Sequence, residues 1–288
     1  MTVNKLKLEK TFSLGGDLTI KRIGFGAMRI TGPGIWGPPE NEKEALRVLK
    51  RAIELGVNFI DTADSYGPNI SEELIAKALY PYPKGLVIGT KGGLLRTGLN
   101  EWPIDASPKH LKEVLEGSRK RLKLDRIDLY QLHRIDPNVP VEKTFEFLQK
   151  AQHEGKIKHI GLSEVDVKDI KKAQQFFDVV SVENRYNIST RQWEDVLEYC
   201  NNNKIAFIPW FPLDAGRTDN LKALGKIAVR HNASMRQIAL SWLYHHSNNI
   251  LLIPGTASVE HLEENMKIAS IQLTDSEMHE LSKVADNK

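Results

Sequence analysis

Cysteine is almost absent from this chain: one residue, Cys200, in 288. It shares helical spacing with Trp193, Val196 and Leu197, which predicts a structural thiol on a buried helix face and not a reactive thiolate, since the latter needs an electropositive, accessible niche. No stretch approaches the roughly 18 apolar residues of a membrane span, and the Lys-rich segment 1–10 lacks the apolar core of a secretory leader. The expected location is therefore the cytoplasm, and the three Asn-x-Ser/Thr matches at Asn69, Asn187 and Asn232 carry no weight. Neither sign of charge dominates: 40 basic and 37 acidic residues are scattered along the chain, giving a net charge of +3 without the basic stripe of a nucleic-acid binder. A Gly-x-Gly-x-x-Gly fingerprint is missing, because Gly24-Phe25-Gly26-Ala27-Met28 has no third glycine and leads into a loop. No metal constellation appears, and His245 and His246, adjacent on a predicted helix, point apart and are expected at the surface or at a cap.

What is present is a regular alternation of short apolar runs with amphipathic stretches. Gly15-Gly16-Asp17 reads as a hairpin turn between Phe12 and Leu18. Eight runs follow that read as strands, at 23–25, 58–61, 86–90, 127–133, 159–163, 179–183, 206–210 and 250–254. Between them lie helices such as the one bearing Ala45, Leu46, Leu49, Ala52 and Ile53, closed by Gly56, and one opened by Ser107-Pro108 with Leu111, Val114, Leu115 and Leu122 on one face. Eight strand-helix units without a linker predict one domain over 1–288, an α/β fold of the closed parallel (β/α)₈ barrel type with a short N-terminal β-hairpin. Segment 213–220, polar and Gly-containing, reads as a long strand-to-helix loop.

In such barrels chemistry gathers at the C-terminal strand ends. Asp61 ends one apolar run with Tyr66 in the loop beyond it, Lys91 ends the next, and His133 ends the fourth. Singly, each has a plain structural reading: a helix cap, a packed ring, a satisfied imidazole. Together they make an acid site. A phenol with an ordinary pKa of about 10 needs a cation nearby to give up its proton; Lys91 offers it, Asp61 keeps a buried lysine charged, and His133 can hold a carbonyl oxygen beside Tyr66.

The segments Asn58 to Gly67, Thr90 to Gly93 and Leu132-His133, in this order on successive predicted strands, resemble the tetrad-bearing motifs of the aldo-keto reductases, and the resemblance runs from about Phe12 to the last helix. It implies that Tyr66 is the general acid, that Lys91 and Asp61 tune it, that His133 orients the carbonyl, and that a nicotinamide supplies hydride. It further implies that Ser163 meets the nicotinamide amide, together with the residues at Glu164 and Glu183, where asparagine and glutamine are usual; an ionised carboxylate accepts from the amide NH₂ but cannot donate to its oxygen. The plain alternative for either glutamate is structure, paired with Arg185 or another cation. Trp210 takes the place of the ring stacked on the nicotinamide, with packing as its plain alternative, and Leu213, Gly216 and Arg217 lie in the loop over the pyrophosphate. Gly255, Thr256, Ser258, His261, Glu264 and Asn265 match the adenosine and 2′-phosphate region, though Gly255 and His261 stand where a lysine and an arginine are common. The implied cofactor is NADPH, with NADH as the alternative.

Met28, Arg29, Ile35 and Trp36 follow the first strand and, with Trp102, are expected to rim a pocket for a small carbonyl compound. Arg29 hints at an anionic group and has a surface salt bridge as its plain alternative. The chain ends soon after its last helix, which predicts an open, permissive site, in the manner of microbial reductases for general aldehydes or pyridoxal. A monomer is expected. Two competing readings are a nicotinamide-binding redox sensor with slow or vestigial turnover, and a barrel isomerase or aldolase with Lys91 as a Schiff base, which would need a lysine without a carboxylate partner.

Overall fold

The computed structural model describes residues 9–213 and 222–284; Gly216 and Arg217 lie outside the described residues. The predicted hairpin is β1 (Thr11–Leu14) and β2 (Leu18–Lys21), paired antiparallel with Leu14 opposite Leu18. Gly15 and Gly16 take φ of 60° and 84° in its turn, the left-handed region where a side chain is strained.

Seven parallel strands follow in sequence order: β3 (Phe25–Gly26), β4 (Phe59–Asp61), β5 (Val87–Gly92), β6 (Ile127–Leu132), β7 (Ile157–Ser163), β8 (Val179–Arg185) and β9 (Ala206–Trp210). The eighth expected strand is not a full strand. Segment 250–254 makes only single parallel bridges, Ile250 with Phe207 and Leu252 with Ile23. Hydrogen bonds from Leu251 N to Phe207 O, Gly24 N to Leu252 O and Leu252 N to Arg22 O nevertheless join both edges of the sheet, so the barrel closes. The first stave is likewise shorter than its apolar run, two residues in β3, and the run 127–133 pairs only as far as Leu132.

Outside the barrel stand α1 (Glu42–Glu54), α2 (Ile70–Leu79), α3 (Pro108–Leu122), α4 (Val141–His153), α5 (Val167–Ala173), α6 (Glu194–Asn202), α7 (Lys222–His231), α8 (Met235–His246), α9 (Val259–Met266) and α10 (Asp275–Ser282). α1 buries Ala45, Val48, Leu49 and Ala52, and Gly56 turns the chain at φ 88° toward β4. α3 opens as expected, with the Ser107 hydroxyl accepting from His110 N and Pro108 in the first turn. Cys200 is fully buried on α6, and burial pushes its thiol up to about 12, so it is no nucleophile at neutral pH.

His246 is neither a surface group nor a cap. Its ring stacks on Trp242 at 4.6 Å between centroids, and Nε2 lies 2.8 Å from Glu194 Oε1 and 3.0 Å from the Tyr186 hydroxyl. His245 turns back to the Ser241 carbonyl at 2.7 Å. His246 is thereby tied to Glu194 of α6 and to Tyr186 just past β8, whereas Nε2 of His245 is buried without a hydrogen-bond partner among the described residues.

Two apolar layers result. One lies between sheet and helices; the other fills the barrel, where Phe59, Val87, Leu129, Ala206, Ile208 and Leu251 meet Leu14 and Ile20 of the hairpin. Because the hairpin contributes to the layer built from early strand positions, it closes the N-terminal end of the barrel, and polar inward residues collect at the other. No helix among the described residues is long and apolar enough to cross a membrane.

Candidate active site

Alternation along each strand decides which residues reach the barrel interior. In β4 Phe59 and Asp61 point the same way, in β5 Gly89 and Lys91, in β6 Leu129 and Gln131, in β8 Ser181 and Glu183. The register sets Asp61 beside Gly89, Lys91 beside Gln131 and Ser163 beside Glu183, so the last inward residue of each strand converges at one end.

There Lys91 is the hub. Its ammonium donates to Asp61 Oδ2 at 2.5 Å, to the Thr62 carbonyl at 3.0 Å and to the Tyr66 hydroxyl at 3.3 Å. All three side chains of that chain of contacts are buried: Asp61 is 1%, Tyr66 7% and Lys91 0% exposed. Lys91 stays a cation, because Asp61 and Glu183 raise its pKa against the cost of burial. The Schiff-base reading called for a lysine without a carboxylate partner, and Lys91 has Asp61 at 2.5 Å and Glu183 at 3.3 Å, which disfavours an amine nucleophile. Burial raises the Tyr66 pKa more than Lys91 lowers it, so the phenol is neutral and holds its proton at every physiological pH. His133 lies edge-on to Tyr66, ring centroids 6.0 Å apart at 81°, and burial next to Lys91 and Arg134 drives its pKa well down, leaving a neutral imidazole. Ser65 Oγ stands 3.4 Å from His133 Nδ1.

Glu183 does not pair with Arg185. It is 3% exposed, sits 3.3 Å from Lys91 Nζ through Oε2, and accepts from Gln131 Nε2 at 2.9 Å. The same amide donates to Asp61 Oδ1 at 3.2 Å, while Gln131 Oε1 accepts from Ser181 Oγ at 3.0 Å, which fixes the amide with its NH₂ toward both acids. Gly161 makes room for this bridge: a Cβ there would stand 2.1 Å from Ser181 Oγ and 3.0 Å from Gln131 Cγ. Gly161→Ala is therefore expected to cost about 1–3 kcal/mol and to depress turnover by displacing Gln131; urea unfolding with less than half a kcal/mol of change, roughly, would show that the bridge gives way freely.

Ser163 Oγ donates to the Glu183 carbonyl at 2.9 Å and accepts from Arg134 Nη1 at 3.0 Å. Glu164, at φ 54°, accepts through Oε1 from Trp210 Nε1 and from Arg185 N, both at 2.6 Å. It orients the Trp210 indole, and the ring of Trp210 lies against Phe211 at 5.5 Å on the wall of a cavity of about 650 Å³. The cavity runs from Asp61, Tyr66, His133, Ser163 and Glu183 past Trp210 and Leu213 to Pro254, Gly255 and Arg236, with Arg29 and Arg134 along it. Its volume is ordinary for a small-molecule site, and an aromatic ring at the reactive end with cations farther out suits a nicotinamide coenzyme and its phosphates.

Beyond Gly255 the placement is less direct. Thr256 Oγ1 accepts from Ser258 N at 3.1 Å, and Ser258 caps α9 through His261 N. Val259 N already faces Glu44 Oε1 at 3.4 Å, so one of the amides expected to meet an anion has a carboxylate partner. His261 is exposed, Glu264 half-buried and Asn265 buried on α9, none of them in the cavity wall.

At the substrate end Met28, Arg29, Ile35 and Trp102 line the cavity, joined by Leu94 and Ile104. Trp36 does not: it is 38% exposed and lies under Arg96, 5.2 Å from ring to guanidinium, while Arg96 stacks on Trp102 at 3.7 Å. Arg29 is exposed and makes no salt bridge among the described residues, and its Cγ lies 3.6 Å from where a Cβ on Gly255 would stand. Sequence reasoning missed Gln131, Arg134 and Phe211. The first was marked by parity, two residues before His133 on one strand; the other two carried no signal beyond adjacency to a strand end. Among the described residues no group of three or more His, Cys, Asp or Glu is placed to hold a metal.

Comparison with known proteins identifies the family. Residues 22–286 match the model of the Aldo/keto reductase family. An uncharacterized oxidoreductase of Schizosaccharomyces pombe is 53% identical over 90% of this chain and 85% of its own length, and pyridoxine 4-dehydrogenase of Escherichia coli is 37% identical over 96% and 98%. Among solved structures, a thermostable aldo-keto reductase bound to the inhibitor epalrestat superposes with a TM-score of 0.84 at 32% identity, covering 95% of this chain and 99% of that one. An aldo-keto reductase of Klebsiella pneumoniae solved with NADPH gives 0.83 at 25% identity over 97% and 96%. On the family match across nearly the whole chain, and on relatives well above the identity at which a family is shared, this protein belongs to the aldo/keto reductase family.

Proposed function

We propose that this oxidoreductase reduces a small aldehyde or ketone to the alcohol, with Tyr66 as the proton donor. The observation that carries the residue roles is the buried Lys91 ammonium held between Asp61 Oδ2 and the Tyr66 hydroxyl at the floor of the cavity. Reduced nicotinamide, when bound, supplies hydride to the carbonyl carbon. Tyr66 gives its proton to the carbonyl oxygen, and Lys91 stabilises the phenolate left behind, which the Asp61 carboxylate alone would oppose. His133 is neutral, and in the tautomer that accepts from Ser65 at Nδ1 its ring proton on Nε2 donates a hydrogen bond to the carbonyl oxygen without competing as an acid.

Ser163, Glu164 and Trp210 are the residues proposed to seat the nicotinamide, with Glu164 acting through the indole that it orients. NADPH is the preferred coenzyme; an NADPH-bound relative at 25% identity supports it, and Arg29 offers a cation beside Gly255, where the side chain of a common lysine is missing. The pocket wall of Met28, Ile35, Leu94, Trp102 and Ile104 suits an apolar or aromatic aldehyde, and the pyridoxine 4-dehydrogenase relative supports including pyridoxal. We take residues 1–288 as a single domain working as a cytoplasmic monomer. The redox-sensor alternative gains nothing from the site, whose four reacting groups are in contact.

Oxidation of NADPH and of NADH should be followed with a panel that includes pyridoxal and 4-nitrobenzaldehyde. Turnover with several aldehydes, faster with NADPH, is the expected result. Coenzyme binding without reduction of any carbonyl would return the sensor reading to first place.

A further inference from the structure

Lys91 carries three N–H donors and meets four acceptors. Asp61 Oδ2 at 2.5 Å and the Thr62 carbonyl at 3.0 Å take two of them; the Tyr66 hydroxyl and Glu183 Oε2, both at 3.3 Å, compete for the third. An ionised Glu183 attracts that donor more strongly than a neutral phenol does. The ammonium is thus shared between the acid that does the chemistry and a carboxylate that the resemblance places at the nicotinamide amide and not at the proton transfer.

The charge balance points the same way. Two carboxylates and one ammonium, all almost wholly buried, would carry a net negative charge if fully ionised. Among the described residues no other cation touches them, and the neighbouring buried carboxyl, Asp64, is itself pushed well up by burial and by Glu72. Gln131 from β6 bridges the acids as a neutral amide, and His133 is a neutral imidazole. Arg134 is engaged by the His133 carbonyl and Ser163 Oγ; from β7, Glu164 is engaged by Trp210 Nε1 of β9 and by Arg185 N. Like charges this close share a proton.

We propose that Glu183 is a positioning residue for the reduction: with Asp61 it forms a buried acid pair around Lys91 that holds one proton, and only with that proton on Glu183 is the third Lys91 donor given to Tyr66. Loss of the shared proton sends the donor to Glu183 and leaves an extra negative charge beside a phenol that must become a phenolate, so reduction slows. The inference rests on the reductase reading of this site. The two acids titrate as a pair, and the rise to about 8 that burial and Glu183 impose at Asp61 places the loss of the shared proton in mildly alkaline solution. The sign follows: the pair is protonated and competent below that range and incompetent above it.

The test is Glu183→Gln, which keeps the shape and cannot ionise, in the full-length protein. With saturating coenzyme, wild-type kcat should fall up to about tenfold per pH unit above roughly pH 8, whereas the variant should keep its rate for at least about one pH unit more. Coenzyme Kd, from quenching of tryptophan fluorescence, should change by no more than about threefold. An identical alkaline limb in both proteins overturns the proposal, and a Kd more than tenfold weaker with that limb unmoved would make Glu183 a coenzyme ligand instead. Infrared titration compares the two proteins: a carboxylic acid C=O band that disappears as pH rises through about 8 should be present in the wild type and missing from the variant, the raised Asp64 carboxyl contributing alike to both, and absence of that difference band at neutral pH is fatal to the acid pair. A protein that shows the band and reduces no carbonyl sinks the reductase reading and the positioning role together; one that reduces carbonyls without the band sinks this proposal alone.

Discussion

Tyr66→Phe is expected to lower kcat for carbonyl reduction by roughly 10²–10⁴-fold, the contribution of a well-placed general acid, with coenzyme affinity unchanged. The substitution removes one oxygen and leaves the ring in its buried seat edge-on to His133. Lys91 retains Asp61, Thr62 O and Glu183 as acceptors, so the loss in stability should stay near one hydrogen bond, about 1 kcal/mol. Steady-state turnover and coenzyme titration, run on the same preparation, separate the two effects. A variant that still turns over within a few-fold of wild type would remove the phenol from the mechanism and point to water or His133 as the proton source.

Tyr66 and its three neighbours were legible in the sequence for a physical reason. Polar residues that end apolar runs interrupt a pattern, and in a parallel barrel those interruptions face one another. Gln131 and Ser181 were not legible in that way, since each stands inside a strand where a polar residue breaks no run end; only inward parity with His133 and Glu183 marks them. The partnership of Glu164 with Trp210 joins residues 46 apart through a side chain at positive φ, which no local pattern reports. Glu183 was recognised as unusual, and its assignment was open, because whether a carboxylate meets Arg185 or Lys91 depends on the face of β8 that it occupies. The closure of the barrel was legible as eight runs, while the shortness of the first and last staves was not: apolar content records burial, and pairing length depends on where neighbouring backbones diverge.

Arg22 carries the second large effect. It is fully buried where the chain enters the barrel. Its guanidinium donates through Nε to Ile250 O at 3.1 Å and through Nη2 to Tyr244 O at 2.8 Å and Ser247 O at 2.5 Å. Nη1 reaches Glu9 O at 3.0 Å and Asn248 Oδ1 at 3.3 Å, and the group lies 4.3 Å over the Tyr244 ring. Burial brings its pKa down to about 10, still high enough to keep the charge at neutral pH. Arg22→Met fills the stem and removes every one of these donors, leaving buried carbonyls unpartnered, so a destabilisation of about 3–5 kcal/mol is expected. Arg22→Lys should recover little, because a point charge cannot serve carbonyls arranged around a planar fork. Urea unfolding of the three proteins measures both; a loss under about 1 kcal/mol for the methionine variant would show that water takes over the carbonyls.

The join between first and last staves rests on Arg22, the single Ile23–Leu252 bridge and two backbone hydrogen bonds, and the chain leaves it directly into Ile253, Pro254 and Gly255 on the cavity wall. Stability is lowest where pairing is shortest. A molecule lying across the cavity touches Gly26 on one side of that join and Gly255 on the other, and so acts as a rivet through the weakest plank of the barrel. Amide exchange at Gly24 and Leu252, fast for a barrel interior in the free protein, should then slow more on ligand binding than at any central strand.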